Sequence, residues 1–243
     1  MSNVTYVRYE LLRTLRNRRF FIFSLAFPLV MFFLVGGSNS GTVMPLAGIS
    51  FTEYYMVSMA GWGAMMSVLA GGARISTERQ AGWIRQLRVT PLTTSGYFRS
   101  KVVTSYVMAL LSMVLLYSAG IALGVRLPLG NWAQMSGLIL VGLVPFAALG
   151  VVMGHLLSPD SMGPALGGIA SLFAFLGGSW FPLDGWLKSF GEWLPSYWLV
   201  QAGRTTILGG SWSPQGWLVV AAWAAVMTVL AGWAYRRDGK RVT

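Results

Sequence analysis

The sequence is poor in the residues on which soluble enzymes depend. It has no cysteine and one histidine, and its seven acidic residues are outnumbered by 18 lysines and arginines. The absence of cysteine excludes disulfides and thiolate metal sites. Charged residues make up 10% of the chain and hydrophobic residues 55%, and the mean hydropathy is +0.60, which lies outside the range of a soluble domain. These proportions predict an integral membrane protein.

Long apolar runs recur along the whole chain. A helix needs about 20 apolar residues to cross the hydrocarbon of a bilayer. Six such runs lie near 20–38, 54–73, 102–123, 134–157, 161–181 and 214–235. We therefore predict an all-α integral membrane protein with six transmembrane helices. The segments between the runs are too short for a further domain, so residues 1–243 form a single transmembrane domain.

The basic residues are unevenly distributed between the predicted loops. Fifteen of the 18 lysines and arginines lie in the segments 3–19, 74–101 and 236–241. Lysine and arginine on cytoplasmic loops set the orientation of membrane proteins. The distribution predicts a multi-pass protein of the cell (plasma or inner) membrane with both termini in the cytoplasm. It also accounts for the formal charge of +11 without a nucleic acid partner.

The segment 3–19 combines apolar and basic residues at helical spacing. Its apolar positions are Val4, Val7, Leu11, Leu12 and Leu15, with arginines between them. Such a pattern is typical of an amphipathic helix that lies in the membrane surface, with membrane lipid as its partner. The alternative is an ordinary basic flank of the first span.

Local signals mark the ends of several elements. Pro28 predicts a kink in the first span, and the capping-box pattern Ser50-x-x-Glu53 predicts the start of the second. The outer loop 182–213 contains four tryptophans and is broken by prolines and glycines. It predicts either short helices at the outer interface, where tryptophans concentrate, or a re-entrant pair of half-helices.

Motifs for catalysis or for an internal energy source are missing from the sequence. There is no G-x-x-x-x-G-K-[ST] phosphate loop, no H-E-x-x-H metal motif and no pair of intramembrane carboxylates. The predicted spans hold no ionisable residue at mid-depth that could relay protons or sodium. We therefore assign no catalytic residue, no metal and no cofactor to this chain, and expect that it is not an enzyme by itself.

The basic segment 74–101 is the most informative part of the sequence, because both flanks are nearly uncharged. It carries five arginines and one lysine against a single acid. A short cytoplasmic helix is expected over 78–88, begun by the capping pattern Thr77-x-x-Gln80 and ended by Pro91.

Trp83 and Leu87 fall on one face of that predicted helix, four residues apart. A short, basic, aromatic helix suits the groove of a soluble partner. Anchoring of Trp83 at the lipid interface fits the same pattern equally well.

The run from Glu78 to Leu92 resembles the cytoplasmic loop of ABC-2 type transporter permeases, whose pattern is roughly E-x-x-x-G-[T]-x-x-x-L-x-x-[ST]-P-[LM]. Trp83 stands where that family often has threonine. The span count, the basic amphipathic N-terminal helix and the long aromatic loop before the last span are similar to the family as well. So are Gly177-Gly178-Ser179-Trp180-Phe181-Pro182, Leu194-Pro195 and Gly203-Arg204.

The resemblance implies the membrane subunit of an ATP-driven exporter. Two permease subunits, identical or related, would pair, and each would dock a separate ABC ATPase that holds ATP and Mg. The substrate would be an apolar or amphipathic drug, lipid or natural product that moves outward. By analogy with the family, the residues that couple the chain to the ATPase are Glu78, Gly82, Trp83, Leu87, Pro91 and Leu92. Residues that could line a substrate pathway are Met65, Met66, Phe173, Phe175 and Trp180.

Two other functions compete with this interpretation. A membrane sensor or assembly subunit could use the loop 74–101 to hold a cytoplasmic regulatory protein. An intramembrane lipid-modifying enzyme is disfavoured by the missing catalytic motifs. Glycine-rich stretches in the second and fifth spans would suit a close seam between two subunits.

Overall fold

The computed structural model describes residues 3–16, 22–43, 49–83 and 94–239, and these residues are helical apart from short connections. Within them there is no strand, and one isolated antiparallel bridge joins Val43 to Ser50. The elements are α1 (Asn3–Leu15), π1 (Ile22–Ala26), α2 (Phe27–Met31), π2 (Phe32–Gly37), α3 (Phe51–Gln80), α4 (Thr94–Ala122), α5 (Leu129–Gly142), α6 (Val144–Leu156), α7 (Pro159–Leu176), α8 (Gly185–Gly191), α9 (Pro195–Ile207) and α10 (Pro214–Gly239).

Helix α3 begins at the predicted capping box. The Ser50 hydroxyl accepts a hydrogen bond from the backbone N–H of Glu53 at 3.2 Å, and the Glu53 carboxylate accepts one from the backbone N–H of Ser50 at 3.0 Å. Two backbone donors that the first helical turn leaves without a partner are thereby satisfied. The prediction for Ser50 and Glu53 is confirmed.

Helix α3 is the centre of the fold. It packs against α4, α6, α7 and α9, and 89% of its most apolar stretch is buried inside the chain, compared with 17% for α10. Glycines bring the neighbouring backbones close. A Cβ added at Gly72 would overlap the carbonyl oxygen of Gly150 on α6, and one added at Gly61 would lie 3.4 Å from the carbonyl oxygen of Leu199 on α9.

Four helical stretches of the described chain are long and apolar enough to cross a membrane. They are Phe51–Gln80, Gly96–Ala122, Leu129–Leu156 and Pro214–Arg237, and they correspond to the second, third, fourth and sixth predicted spans. The first predicted span falls on the shorter apolar stretch Ser24–Gly37. The fifth falls on α7, whose 18 residues start with the polar turn Pro159-Asp160-Ser161.

The first apolar stretch is irregular around Pro28. This proline starts the short helix α2, and π-helical turns, π1 and π2, lie on both sides of it. Proline has no N–H to donate, so it interrupts the regular hydrogen-bond ladder of an α-helix. The structure thus has a change of helix type around Pro28, and the kink predicted there stays a prediction.

The predicted start of a separate helix at Glu78 is wrong. Helix α3 continues without a break through Gln80, and the Thr77 hydroxyl donates to the carbonyl of Ala73 one turn back instead of capping a new helix. The helix continues because the Glu78 carboxylate is paired inside the protein and is not exposed on a loop. The remainder of that predicted helix, 84–88, lies outside the described residues.

The predicted outer loop 182–213 contains two short helices of different character. Helix α8 leaves Trp186 79% exposed. Helix α9 is too short to cross a bilayer at 13 residues, yet most of its residues are buried, where it packs on α5 and α3. One helix of the loop is thus superficial and the other is built into the core.

Candidate functional site

The last two turns of α3 place charged side chains on opposite sides of the helix. Arg74 and Glu78 are four residues apart, so they share the face that meets α1 and α4. Arg79 and Ser76 point to another side, toward the connection between α6 and α7. The end of α3 is thereby in contact with most of the elements at this end of the molecule.

The Glu78 carboxylate is buried, with 2% exposure, and it accepts three hydrogen bonds. Its Oε1 lies 2.6 Å from Nζ of Lys101 and 3.0 Å from Nη1 of Arg13. Its Oε2 accepts the hydroxyl of Tyr97 at 2.7 Å. Donors from α1 and α4 therefore converge on one carboxylate of α3.

Lys101 joins Glu78 to a second buried carboxylate, Glu10 of α1. The Lys101 ammonium is 2% exposed and lies 2.6 Å from Oε1 of each carboxylate. Arg74 adds an ion pair to Glu10 at 3.9 Å and donates a hydrogen bond to the hydroxyl of Thr14. We call Glu10, Arg13, Arg74, Glu78, Tyr97 and Lys101 the charge cluster.

The charges of the cluster nearly balance, which allows them to be buried. Transfer of a single charge out of water costs several kcal/mol, and close pairing with additional hydrogen bonds offsets that cost. Here each buried carboxylate has at least two cationic neighbours. The cluster fixes the relative positions of α1, α3 and α4 because moving any one helix would leave a charge unpaired.

Arg79 connects the end of α3 to the connection between α6 and α7. Its guanidinium donates to the carbonyl oxygens of His155 and Leu157, the latter at 2.8 Å, and the Ser76 hydroxyl donates to the same Leu157 carbonyl at 2.7 Å. The last carbonyls of a helix lack partners within it and carry its negative end. A cation from α3 satisfies them.

An aromatic contact ties α4, α6 and α10 together at the same end. The ring of Phe98 lies 5.1 Å from that of Tyr235 and 5.7 Å from the imidazole of His155. His155 is 3% exposed. The only histidine of the sequence is thus a buried packing residue close to the charge cluster.

The chain leaves α3 beside the charge cluster through a left-handed turn. Gly82 has a φ of +69°, a conformation that favours glycine. Residues 84–93 lie outside the described part of the chain, and α4 begins at Thr94. Because Glu78 lies before that segment and Tyr97 and Lys101 lie after it, the charge cluster joins its two ends.

Of the predicted coupling residues that the structure describes, some are buried and others are exposed. Glu78 is buried in the charge cluster, Gly82 forms the turn, and Trp83 is 39% exposed directly after it. Leu87, Pro91 and Leu92 lie outside the described residues.

The residues predicted for a substrate pathway do not form one surface within the chain. Met65 and Met66 are buried in the core around α3. Phe173 packs edge-on against Phe146 at 5.2 Å, and Trp180 is partly buried. Phe175 is 41% exposed, with its ring 4.9 Å from that of Phe181.

Sequence reasoning missed Glu10 and Lys101. A signal for Glu10 was available, since it is the only acid of the basic segment 3–19, and Thr14 follows it on the same helical face. Lys101 is the only lysine of 74–101 and directly precedes a predicted span, where an ammonium needs a partner.

The opposite end of the molecule has one buried cation, Arg204 of α9. Its Nη2 donates to the Ser58 hydroxyl of α3 at 2.8 Å and to the carbonyl of Gly178 at 2.6 Å. Its guanidinium lies 3.9 Å from the centre of the Tyr54 ring. Arg204 therefore holds α9 against α3 and against the segment that follows α7.

This architecture is that of a multi-pass α-helical membrane protein in which buried charges join α1 to the facing ends of α3 and α4. The model of the ABC-2 family transporter protein matches residues 45–234. The chain belongs to the ABC-2 transporter family. It is also 28% identical over 235 residues to YvfS of Bacillus subtilis (strain 168), a protein that carries the name of a transport permease, with 94% of this chain and 95% of the relative covered.

Proposed function

We propose that the chain is the permease subunit of an ATP-driven exporter and that it crosses the membrane six times, with both termini in the cytoplasm. The four long apolar helices supply four of the crossings. In this proposal Ser24–Gly37 and α7 supply the other two. The Gly36 carbonyl accepts a hydrogen bond from the Thr52 hydroxyl at the start of α3, and Leu25 packs against Met108 of α4. Helix α7 begins after Ser158, next to the Leu157 carbonyl that binds Ser76, and ends two residues before Gly178, whose carbonyl binds Arg204.

The charge cluster is the observation that carries this proposal. A permease without a nucleotide site must receive its energy as movement of a loop that a separate ATPase holds. The cluster joins both ends of the segment 84–93 to α1, α3 and α4 through buried charges. A displacement of that loop is thereby transmitted to three helices rather than absorbed by a flexible connection.

Within this function, Glu78 and Trp83 have different roles. Glu78 is buried and positions the loop, whereas Trp83 is exposed and is available to contact the ATPase. ATP and Mg bind the ATPase. A second permease subunit, identical or related, completes the transporter.

The surface that would contact the second subunit is on α7 rather than α3. The glycines of α3 already face other helices of the same chain, as Gly72 does with α6. By contrast, Gly163, Gly167 and Gly168 of α7 are exposed and have no neighbouring atom where a side chain would extend. A substrate pathway for an apolar or amphipathic molecule would form beside this face, where Phe175 is exposed.

Affinity purification from native membranes, followed by identification of co-purifying proteins and an ATPase assay, tests the proposal. A stoichiometric ABC ATPase is expected, and it should be lost when residues 82–92 are scrambled. The control is the double substitution Trp186→Ala and Trp193→Ala, which changes exposed aromatic residues at the other end of the molecule.

Recovery of a folded chain without a nucleotide-binding partner would overturn the exporter proposal. A stable complex with a partner that does not respond to nucleotide would favour the sensor or assembly subunit instead. ATP-independent activity of the purified chain would favour an enzyme.

A further inference from the structure

The amphipathic helix α1 exposes three of its large apolar residues and buries two of its polar ones. Glu10 and Thr14, at 4% and 2% exposure, face the protein. Tyr9, Leu12 and Leu15 are 63%, 47% and 41% exposed. A helix that only packed on the protein would bury these apolar side chains and expose the polar ones.

Arginines alternate with the apolar side chains on the exposed face of α1. Arg8, Arg13 and Arg16 are exposed, whereas Glu10, the single acid between residues 7 and 16, is buried. The exposed face therefore carries the charges of Arg8 and Arg16, together with that of Arg13, whose guanidinium also pairs with Glu78 of α3. This combination matches an acidic phospholipid surface, with apolar side chains at the level of the acyl boundary and arginines among the headgroups.

We propose that the exposed face of α1 binds acidic phospholipid headgroups and that the charge cluster transmits this binding to the facing ends of α3 and α4. Lipid binding by α1 involves the membrane around the chain and does not depend on the ATPase or on transport.

Two contacts link α1 to the ends of α3 and α4. Glu10 of α1 is paired with Lys101 of α4 at 2.6 Å, and Arg13 of α1 is paired with Glu78 of α3 at 3.0 Å. The Arg13 side chain is 59% exposed while that of Glu78 is 3% exposed, so one guanidinium lies at the boundary between surface and interior. The position of α1 on the membrane thereby determines the positions of the ends of α3 and α4.

The absence of native cysteine makes a direct test possible on the full-length chain. A single cysteine introduced by Leu12→Cys is labelled with an environment-sensitive fluorophore, and the purified chain is reconstituted in vesicles of phosphatidylcholine with or without phosphatidylglycerol. We expect a blue-shifted label that brominated acyl chains quench when phosphatidylglycerol is present. High salt should weaken the response, since exposed charges are screened.

The double variant Arg8→Gln and Arg16→Gln tests the role of the arginines. Each arginine near an acidic surface increases the partition of the helix onto the membrane roughly fivefold. Removal of both arginines should therefore lower the partition of α1 by roughly 25-fold. The matched control is Arg236→Gln with Arg237→Gln, which removes the same charge from exposed positions at the same end of the molecule. It should leave the response of the Leu12→Cys label unchanged.

A second label at Arg99→Cys reports on transmission to α4, where Arg99 is exposed two residues from Lys101. It should respond to phosphatidylglycerol, and this response should disappear in the Arg8→Gln and Arg16→Gln variant.

Equal spectra of the Leu12→Cys label in both lipid mixtures would overturn lipid binding, as would equal effects of the two double variants. A Leu12→Cys label that changes only when an ATPase is added would identify a protein-docking face instead. An Arg99→Cys response that survives the loss of Arg8 and Arg16 would overturn transmission.

Discussion

The ammonium of Lys101 lies 2.6 Å from the carboxylate of Glu78, across the loop that separates α3 from α4. The same ammonium is 2.6 Å from the carboxylate of Glu10 on α1. One cation therefore contacts two buried anions from two different helices, and Arg74 and Arg13 supply a second positive charge to Glu10 and to Glu78. This places a single side chain at the centre of the contacts that hold the loop ends together.

Replacement of Lys101 by methionine should destabilise the chain strongly. The substitution keeps the apolar stem but leaves Glu10 and Glu78 buried with fewer cationic partners. Breaking a buried ion pair by removing one partner costs about 3–5 kcal/mol. Thermal unfolding of the purified chain should therefore occur at a markedly lower temperature.

The control for Lys101 is Arg99→Met, which removes a positive charge from an exposed position two residues away on α4. It should change the free energy of unfolding by less than about 1 kcal/mol, as exposed charges do. Indistinguishable unfolding temperatures for the two variants would mean that the cluster contributes nothing to stability.

The contact between α3 and α6 should not tolerate a side chain at Gly72. A Cβ there would overlap the Gly150 carbonyl, which is backbone and cannot rotate away, so the two helices would have to separate. Gly72→Ala should reduce the yield of folded protein and its unfolding temperature.

Gly137→Ala is the control, because Gly137 is in a helix with no atom within 4 Å of an added Cβ. That change should be neutral or stabilise by about 0.5–1 kcal/mol, and equal losses in both variants would contradict the prediction.

Some elements of this architecture could be predicted from the sequence because their signal lies within a few neighbouring residues. Others depend on partners that are distant in the sequence. The start of α3 was predictable because Ser50 and Glu53 form a capping box within four residues. The end of α3 was not, because Glu78 resembles a loop residue until its partners Tyr97 and Lys101, far along the chain, are known. Long-range pairing overrode the local capping signal of Thr77.

The aromatic outer loop shows the same limit. Its prolines and glycines predicted either short helices at the outer interface or a re-entrant pair of half-helices, and the structure contains the two short helices α8 and α9 there. Periodicity alone did not reveal that α9 is buried, since that depends on the contacts of Arg204 with Ser58 and Gly178.

The contribution of Arg204 to the stability of the chain should depend on the geometry of its guanidinium more than on its charge. In Arg204→Met the Gly178 carbonyl loses its donor, and a buried group without a partner costs about 1–3 kcal/mol. Arg204→Lys should be worse, because a lysine keeps the buried charge but has no planar guanidinium that can stack on the Tyr54 ring while one nitrogen donates to Ser58 and Gly178. The measurement is thermal unfolding, with Arg126→Met as the exposed control. A lysine variant as stable as the natural chain would show that charge alone suffices.

Trp83 and Glu78 should respond differently to substitution. Trp83→Ala should leave the unfolding temperature nearly unchanged, because the side chain is 39% exposed, while it lowers the amount of ATPase that co-purifies. Glu78→Gln should lower the unfolding temperature through the loss of a buried anion beside Lys101. Trp186→Ala, at the other end of the molecule, should affect neither quantity. If Trp83→Ala kept full ATPase recovery, Trp83 would be a lipid anchor and not a docking residue.

Pairing of two subunits through α7 can be tested by cross-linking, since the chain has no native cysteine. Gly167 is exposed on α7 and has open space around it, so two copies could approach closely there. A disulfide requires Cα atoms about 4.4–6.8 Å apart, so Gly167→Cys should form a covalent dimer in native membranes under mild oxidation if identical subunits meet at this face. Gly137→Cys on α5 is equally open and should remain monomeric. A dimer formed at Gly137 and not at Gly167 would move the subunit seam away from α7. Monomers in both variants would rule out a homodimer seam at this face and favour a related chain as the partner.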